Sequence, residues 1–142
     1  MTAKQMAQAE LVALQQIVDG VKDADTEALE KEIAQAKRIF VGGAGRSLLS
    51  MKGFAMRLMQ TGHETYLVGE VCTPSVQPGD LLIVGSGSGE TKVTLDVVNK
   101  AKGHGARVAV LTMHGNSPIA QACDCAVVLA GIPAVSPEDT EA

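Results

Sequence analysis

Gly85-Ser86-Gly87-Ser88-Gly89-Glu90-Thr91 interleaves three glycines with two serines, then adds an acid and a threonine. Glycine lets a backbone turn sharply and approach a ligand closely. The hydroxyls of Ser86, Ser88 and Thr91, joined by the free N–H groups of a following helix N-terminus, can ring an anion with hydrogen bonds. The stretch reads as a phosphate cradle. A second run, Gly43-Ala44-Gly45-Arg46-Ser47, adds another flexible bend, a hydroxyl and a guanidinium that can fork onto phosphate or sugar hydroxyls.

Three better-known loops fit less well. Gly43-Ala44-Gly45 begins like a dinucleotide fingerprint, with Glu70 near the place of a ribose-binding acid, but Leu48 stands where the third glycine belongs and should resist close helix–strand packing. No Gly-Lys-Ser/Thr exists for a Walker loop. Neither Ser86 nor Ser88 centres a Gly-x-Ser-x-Gly nucleophile elbow, so the serines read as hydrogen-bond donors.

The elements that must position these loops alternate from Arg38 onward. Strands are expected at Ile39–Gly42, Thr65–Val68, Leu81–Val84, Arg107–Leu111 and Cys125–Leu129. Between them lie a long helix ending near Thr61, a loop over Glu70–Pro78, a helix over Lys92–Lys102, and a short helix begun by Ser117 and Pro118. The pattern predicts an α/β fold, a three-layer sandwich around a five-stranded parallel sheet of order 2-1-3-4-5. In that order strands one and three are neighbours, and ligands bind beyond their carboxyl ends. Both Gly/Ser loops follow those two strands, so the topology predicts that they meet at one crevice.

Residues 1–37 read as leading helices and 38–142 as the α/β domain, within one compact unit. The first helix, about Ala3–Val21, aligns Leu11, Leu14, Ile17, Val18 and Val21 in one stripe, suited to packing or to an oligomer surface. Thr26 is expected to cap the second, with Leu29, Ile33 and Ala36 facing inward. The tail Ala130–Ala142, with Pro133, Pro137 and three acids, reads as frayed or as a cut end.

At 142 residues, 46% hydrophobic but only 2% aromatic, the core must be aliphatic. A net charge of −4 argues against a nucleic-acid partner, and no apolar run is long enough to span a membrane. Cys72, Cys123 and Cys125 form no metal-like pattern and read as reduced thiols of a cytoplasmic protein. A redox pair of Cys123 and Cys125 on one strand face is the second choice. His63 and His104 read as surface or capping residues; His114 follows strand four on the ligand-bearing edge, where a solvated loop is its leading role; and Met51, Met56 and Met59 read as core or interface packing.

Several stretches together resemble one family: Gly43–Ser47, Phe54–Met59, Val68–Glu70, Pro78–Leu82 and Ser86–Thr91. They look like the SIS (sugar isomerase) domain and, within it, the 6-phospho-3-hexuloisomerase group, over roughly Ile39–Pro133. The resemblance implies a five-stranded α/β sandwich that is usually tetrameric. It also implies conversion of 3-hexulose 6-phosphate to fructose 6-phosphate in the ribulose monophosphate pathway, with no metal or organic cofactor. By the same resemblance Ser47, Ser86, Ser88 and Thr91 would hold the phosphate. Gly45, Gly87 and Gly89 would contribute backbone, and Arg46 and Glu90 would lie at the sugar end. Relatives continue past the fifth strand into a helix bearing a glutamate, so the chain reads as a C-terminally shortened member. Gln60-Thr61 stands where relatives carry a histidine before Gly62.

Moving a carbonyl from C3 to C2 through an enediol needs a base and an oxyanion stabiliser. Glu90 and Glu70 are the candidate bases. Glu90 has a rival role as an acid in the first turn of a helix, where it would offset the dipole. A non-catalytic sugar-phosphate-binding or regulatory module is the alternative function, with the same cradle and no turnover.

Overall fold

A computed structural model describes residues 1–129 of the chain. The tail from Ala130 lies outside them. The first helices are α1 (Ala3–Asp19) and α2 (Asp23–Gln35). β1 (Ile39–Gly43), α3 (Gly45–Gln60), β2 (Thr65–Leu67), β3 (Leu81–Ser86), α4 (Lys92–Gly103), β4 (Arg107–Thr112), α5 (Pro118–Ala122) and β5 (Cys125–Val128) follow. The five strands form one sheet in the order β2-β1-β3-β4-β5, all pairs parallel. The expected topology is the observed one.

The sheet separates two aliphatic cores because successive side chains of a strand face opposite ways. Ile39, Val41, Leu81 and Ile83 pack with Leu29 of α2 and Met51, Ala55 and Leu58 of α3. Phe40, Leu82, Val84, Val108 and Val110 pack with Val98 and Ala101 of α4 and Ile119 of α5. The four apolar residues of β3 from Leu81 to Val84 are at most 1% exposed, the burial expected of a strand covered on both faces.

Several expectations are corrected. Thr26 is not the cap of α2; Lys22 holds that position, and the Thr26 hydroxyl donates inside the helix to the Asp23 carbonyl. Asp23 and Asp25 supply the negative charge that suits the helix start. α1 buries none of its residues fully; of its apolar stripe Val21, just past its end, packs on the core and Ile17 is half-buried, while Leu11, Leu14 and Val18 stay exposed. Cys123 closes α5 and packs with the α4–α5 core, while Cys125 belongs to the opposite core; the two thiols do not share a face. Burial first, then Asp124, pushes the Cys123 thiol up to about 12, which keeps it protonated and unreactive.

The sheet end away from the Gly/Ser loops is clasped by charge. Arg38 donates to both carboxylate oxygens of Asp80 at 3.1 and 2.6 Å and to the Ser75 carbonyl at 3.0 Å. The Gln77 N–H adds a 2.8 Å bond to the same carboxylate, and the Arg38 guanidinium lies 5.2 Å from the Phe40 ring centroid. These bonds hold the Glu70–Pro78 loop against the start of β1 and β3.

Candidate functional site

β1 and β3 run side by side, with Gly42 opposite Val84 and Gly43 opposite Gly85. The two Gly/Ser loops therefore leave the sheet from adjacent positions. Room is scarce there. A Cβ on Gly43 would lie 3.1 Å from the Gly85 carbonyl and 3.3 Å from the Leu48 nitrogen, and a Cβ on Gly85 would press within 2.7 Å of Met51 Cγ. Leu48 does not prevent close helix–strand packing as expected, because Gly43 itself supplies the clearance. Gly45, at φ +56, adopts the left-handed turn into α3.

The start of α3 and the start of α4 share a property. Neither N-cap, Ala44 or Thr91, makes a side-chain capping bond, and neither helix has an acid in its first turn. By contrast α1 is capped by Thr2, α5 by Ser117, and α2 carries Asp23 and Asp25. The two helices at the switch point thus leave their N-terminal donors and positive dipole ends uncompensated, which is what an anion requires.

Around these ends are two adjacent clefts. One, of about 340 Å³, is lined by Arg46, Ser47, Ser50, Ser86, Gly87 and Thr112 above an apolar wall that includes Met51 and Leu111. The other, of about 320 Å³, is lined by Ser88, Glu90, His114, Asn116 and Ser117. The loop between β3 and α4 is the ridge that joins them. Its shape is held by its own serines: Gly89 N–H donates to Ser86 Oγ and Glu90 N–H to Ser88 Oγ, both at 3.1 Å. Ser86 is buried and Ser88 exposed, so only Ser88 presents its hydroxyl freely to solvent.

Comparison with known proteins agrees with this geometry. The SIS domain profile matches residues 32–136. The chain belongs to the SIS domain family. It is 42% identical over 118 residues to the 3-hexulose-6-phosphate isomerase of Methylomonas aminofaciens, covering 83% of this chain and 65% of that protein. It is also 42% identical over 113 residues to the enzyme of the same name from Bacillus subtilis, covering 80% of this chain and 61% of that one. The chain therefore spans less than two thirds of the length of these curated relatives. Among solved structures it superposes, at a TM-score of 0.74 and 34% identity, on a hypothetical protein of Methanococcus jannaschii inferred to be a 3-hexulose-6-phosphate isomerase. That match covers 83% of this chain and 67% of the other.

In this SIS domain the site residues read from sequence divide. Arg46, Ser47, Ser86 and Gly87 line one cleft, and Ser88 and Glu90 line its neighbour. Thr91 is the half-buried N-cap of α4, and Gly89, at φ +70, is buried against Ser117. Glu90 immediately precedes that cap, one residue outside the first turn, where its carboxylate still lies beside the helix N-terminus. Glu70 is elsewhere, in a separate cleft of about 410 Å³ beneath its own loop, with Lys100 and His104. No group of three or more potential metal ligands forms among the described residues.

A third loop, Met113–Ser117 between β4 and α5, for which the sequence favours a solvated role, joins the cradle. Met113 N–H donates to the Gly87 carbonyl at 3.1 Å, and Ile119 N–H to the Gly89 carbonyl at 3.0 Å. The only advance signal is the position of the loop after the fourth strand, on the ligand-bearing edge of the sheet.

Proposed function

We propose that this SIS domain is an isomerase interconverting 3-hexulose 6-phosphate and fructose 6-phosphate through an enediol. The carrying observation is the pair of uncompensated helix N-termini at one switch point, with Ser47 and Ser86 lining the cleft between their loops. Relatives named 3-hexulose-6-phosphate isomerase, 42% identical to it, support the substrate. Ser47, Ser86, Ser88 and Thr91, with the backbone of Gly45, Gly87 and Gly89, hold the phosphate. Arg46 and Glu90 face the sugar, and Glu90 is the base that moves the carbon-bound proton. Holding the phosphate immobilises the chain and lets remote binding energy act on the transition state. Glu70, the other candidate base, lines a separate cleft, which favours Glu90.

The reading includes a cytoplasmic setting and a place in the ribulose monophosphate pathway. Three free cysteines support a reducing compartment. A phosphorylated sugar, rather than nucleic acid or membrane, is the partner; the net charge of −4 supports this, and no described helix is long and apolar enough to cross a membrane. The assembly is a homo-oligomer, a dimer or tetramer, supported by the exposed apolar stripe of α1.

Purified chain supplied with 3-hexulose 6-phosphate is expected to form fructose 6-phosphate, read by a coupled assay. Thermal stabilisation by fructose 6-phosphate without turnover would place the chain in the sugar-phosphate-binding class instead. The absence of both stabilisation and turnover would overturn the reading.

A further inference from the structure

We infer that His114 is a substrate-contacting acid–base group, paired with Glu90 across the cleft that takes the hydroxyl-bearing carbons of the sugar phosphate. The inference rests on the isomerase reading above and adds a residue from a different loop. The cleft of about 320 Å³ is lined by Ser88, Glu90, His114, Asn116 and Ser117, and it adjoins the Arg46–Ser47–Ser86 cleft through the β3–α4 loop. Every lining side chain is polar, the inventory suited to a polyol.

His114 is exposed, but the backbone of its loop is tethered to the cradle. Its N–H donates to Thr112 Oγ1 at 3.2 Å, and that same hydroxyl donates to the Gly87 carbonyl at 3.4 Å. Bonds from Met113 to Gly87 and from Ile119 to Gly89 close the loop onto the cradle from both sides. A Cβ on Gly89 would coincide with the Ser117 side chain, so the two loops are in direct contact with no residue between them. The backbone of His114 is thus tied to the backbone of the cradle. Among the described residues neither its imidazole nor the Glu90 carboxylate enters a side-chain hydrogen bond or ion pair, so both remain available to a ligand.

The proton balance closes on these two groups. The Glu90 carboxylate takes the proton from C2 of the 3-ketose while the His114 imidazolium gives a proton to O3, forming the neutral 2,3-enediol. The now neutral imidazole then takes the proton from O2 as Glu90 returns its proton to C3. C2 becomes the carbonyl, C3 bears the hydroxyl, and both side chains regain their starting states.

The test compares wild type, His114→Gln and Ser88→Ala, with two probes, inorganic phosphate and fructose 6-phosphate, by calorimetry, and turnover by coupled assay. His114→Gln is expected to lower kcat on the order of 10²-fold or more. It should leave inorganic phosphate affinity unchanged and reduce the preference for fructose 6-phosphate over phosphate. Turnover at the wild-type rate, or equal losses for both probes, would overturn the role of His114 while leaving the isomerase reading intact. If wild type binds but does not turn over, an unchanged preference in His114→Gln overturns the subsite and a reduced one supports it. Wild type that binds neither probe would sink the isomerase reading, and this inference with it.

Discussion

Ser88 serves the loop and the cleft with one oxygen: Oγ accepts the Glu90 N–H at 3.1 Å, and its proton remains for a ligand. On the proposed function Ser88→Ala removes a hydrogen bond to the phosphate and should weaken fructose 6-phosphate binding by about 1–3 kcal/mol. Calorimetry giving an unchanged affinity, with the fold intact by circular dichroism, would remove Ser88 from the phosphate shell. The cradle is legible in sequence because glycine and serine spacing is a local property, fixed by what a tight turn and a helix start demand of their residues. His114 is not legible in that way. It shares a cleft with Glu90 through bonds from Thr112, Met113 and Ile119 back to Gly87 and Gly89, residues far apart in the chain. Glu70 shows the converse: it follows a strand on the expected rim, yet it lines a cleft with Lys100 of α4 and His104, the cap of that helix.

At the scale of elements, the Arg38–Asp80 clasp and the first turn of α4 make separate predictions. Burial pushes the Asp80 carboxyl up, but the Arg38 guanidinium, the Gln77 N–H and Lys37 outweigh it and hold it below its ordinary value. A carboxyl depressed in the folded state contributes stability above its unfolded pKa and loses it as pH falls through the folded one. Asp80→Asn should therefore cost about 1.5–3 kcal/mol at neutral pH, and the gap to wild type should close as pH drops below about 4. Urea melts across that range decide it; a gap independent of pH would mean that the charge is not what matters. Thr94, in the first turn of α4, is 2% exposed, and its hydroxyl finds no partner among the described residues. Thr94→Val keeps the β-branch and removes the orphaned polar atom, so it should stabilise by about 1 kcal/mol. A loss of stability would show that the hydroxyl has a partner, and weakened phosphate binding would assign that partner to the site. Strand order and helix positions are legible from hydrophobic runs and glycine stops. The start of α2 is not, because Asp23 and Asp25 favour an earlier turn than Thr26 alone suggests.

The whole molecule is an α/β sandwich carrying one helix that contributes nothing to its core. In α1, Leu11, Leu14 and Val18 are 65%, 54% and 63% exposed, although their spacing is that of a buried face. Periodicity shows that a face is apolar but not whether the cover comes from the same chain, which is why the stripe in sequence leaves packing and oligomer surface equally open. The structure divides the stripe: Val21 packs on the core, and Leu11, Leu14 and Val18 find no cover among the described residues. In a second copy the same stripe would be self-complementary, as a two-fold interface requires. Leu11→Lys combined with Val18→Lys should therefore lower the solution mass, by light scattering, to that of the monomer. The variant should remain folded, since neither side chain touches the sheet cores. A wild type that is monomeric at micromolar concentration, or a variant that retains the wild-type mass, would exclude α1 as the subunit contact. If the monomer also keeps its affinity for fructose 6-phosphate, binding needs no group from a neighbour; if kcat alone falls, the neighbouring subunit acts on the chemistry rather than on the grip.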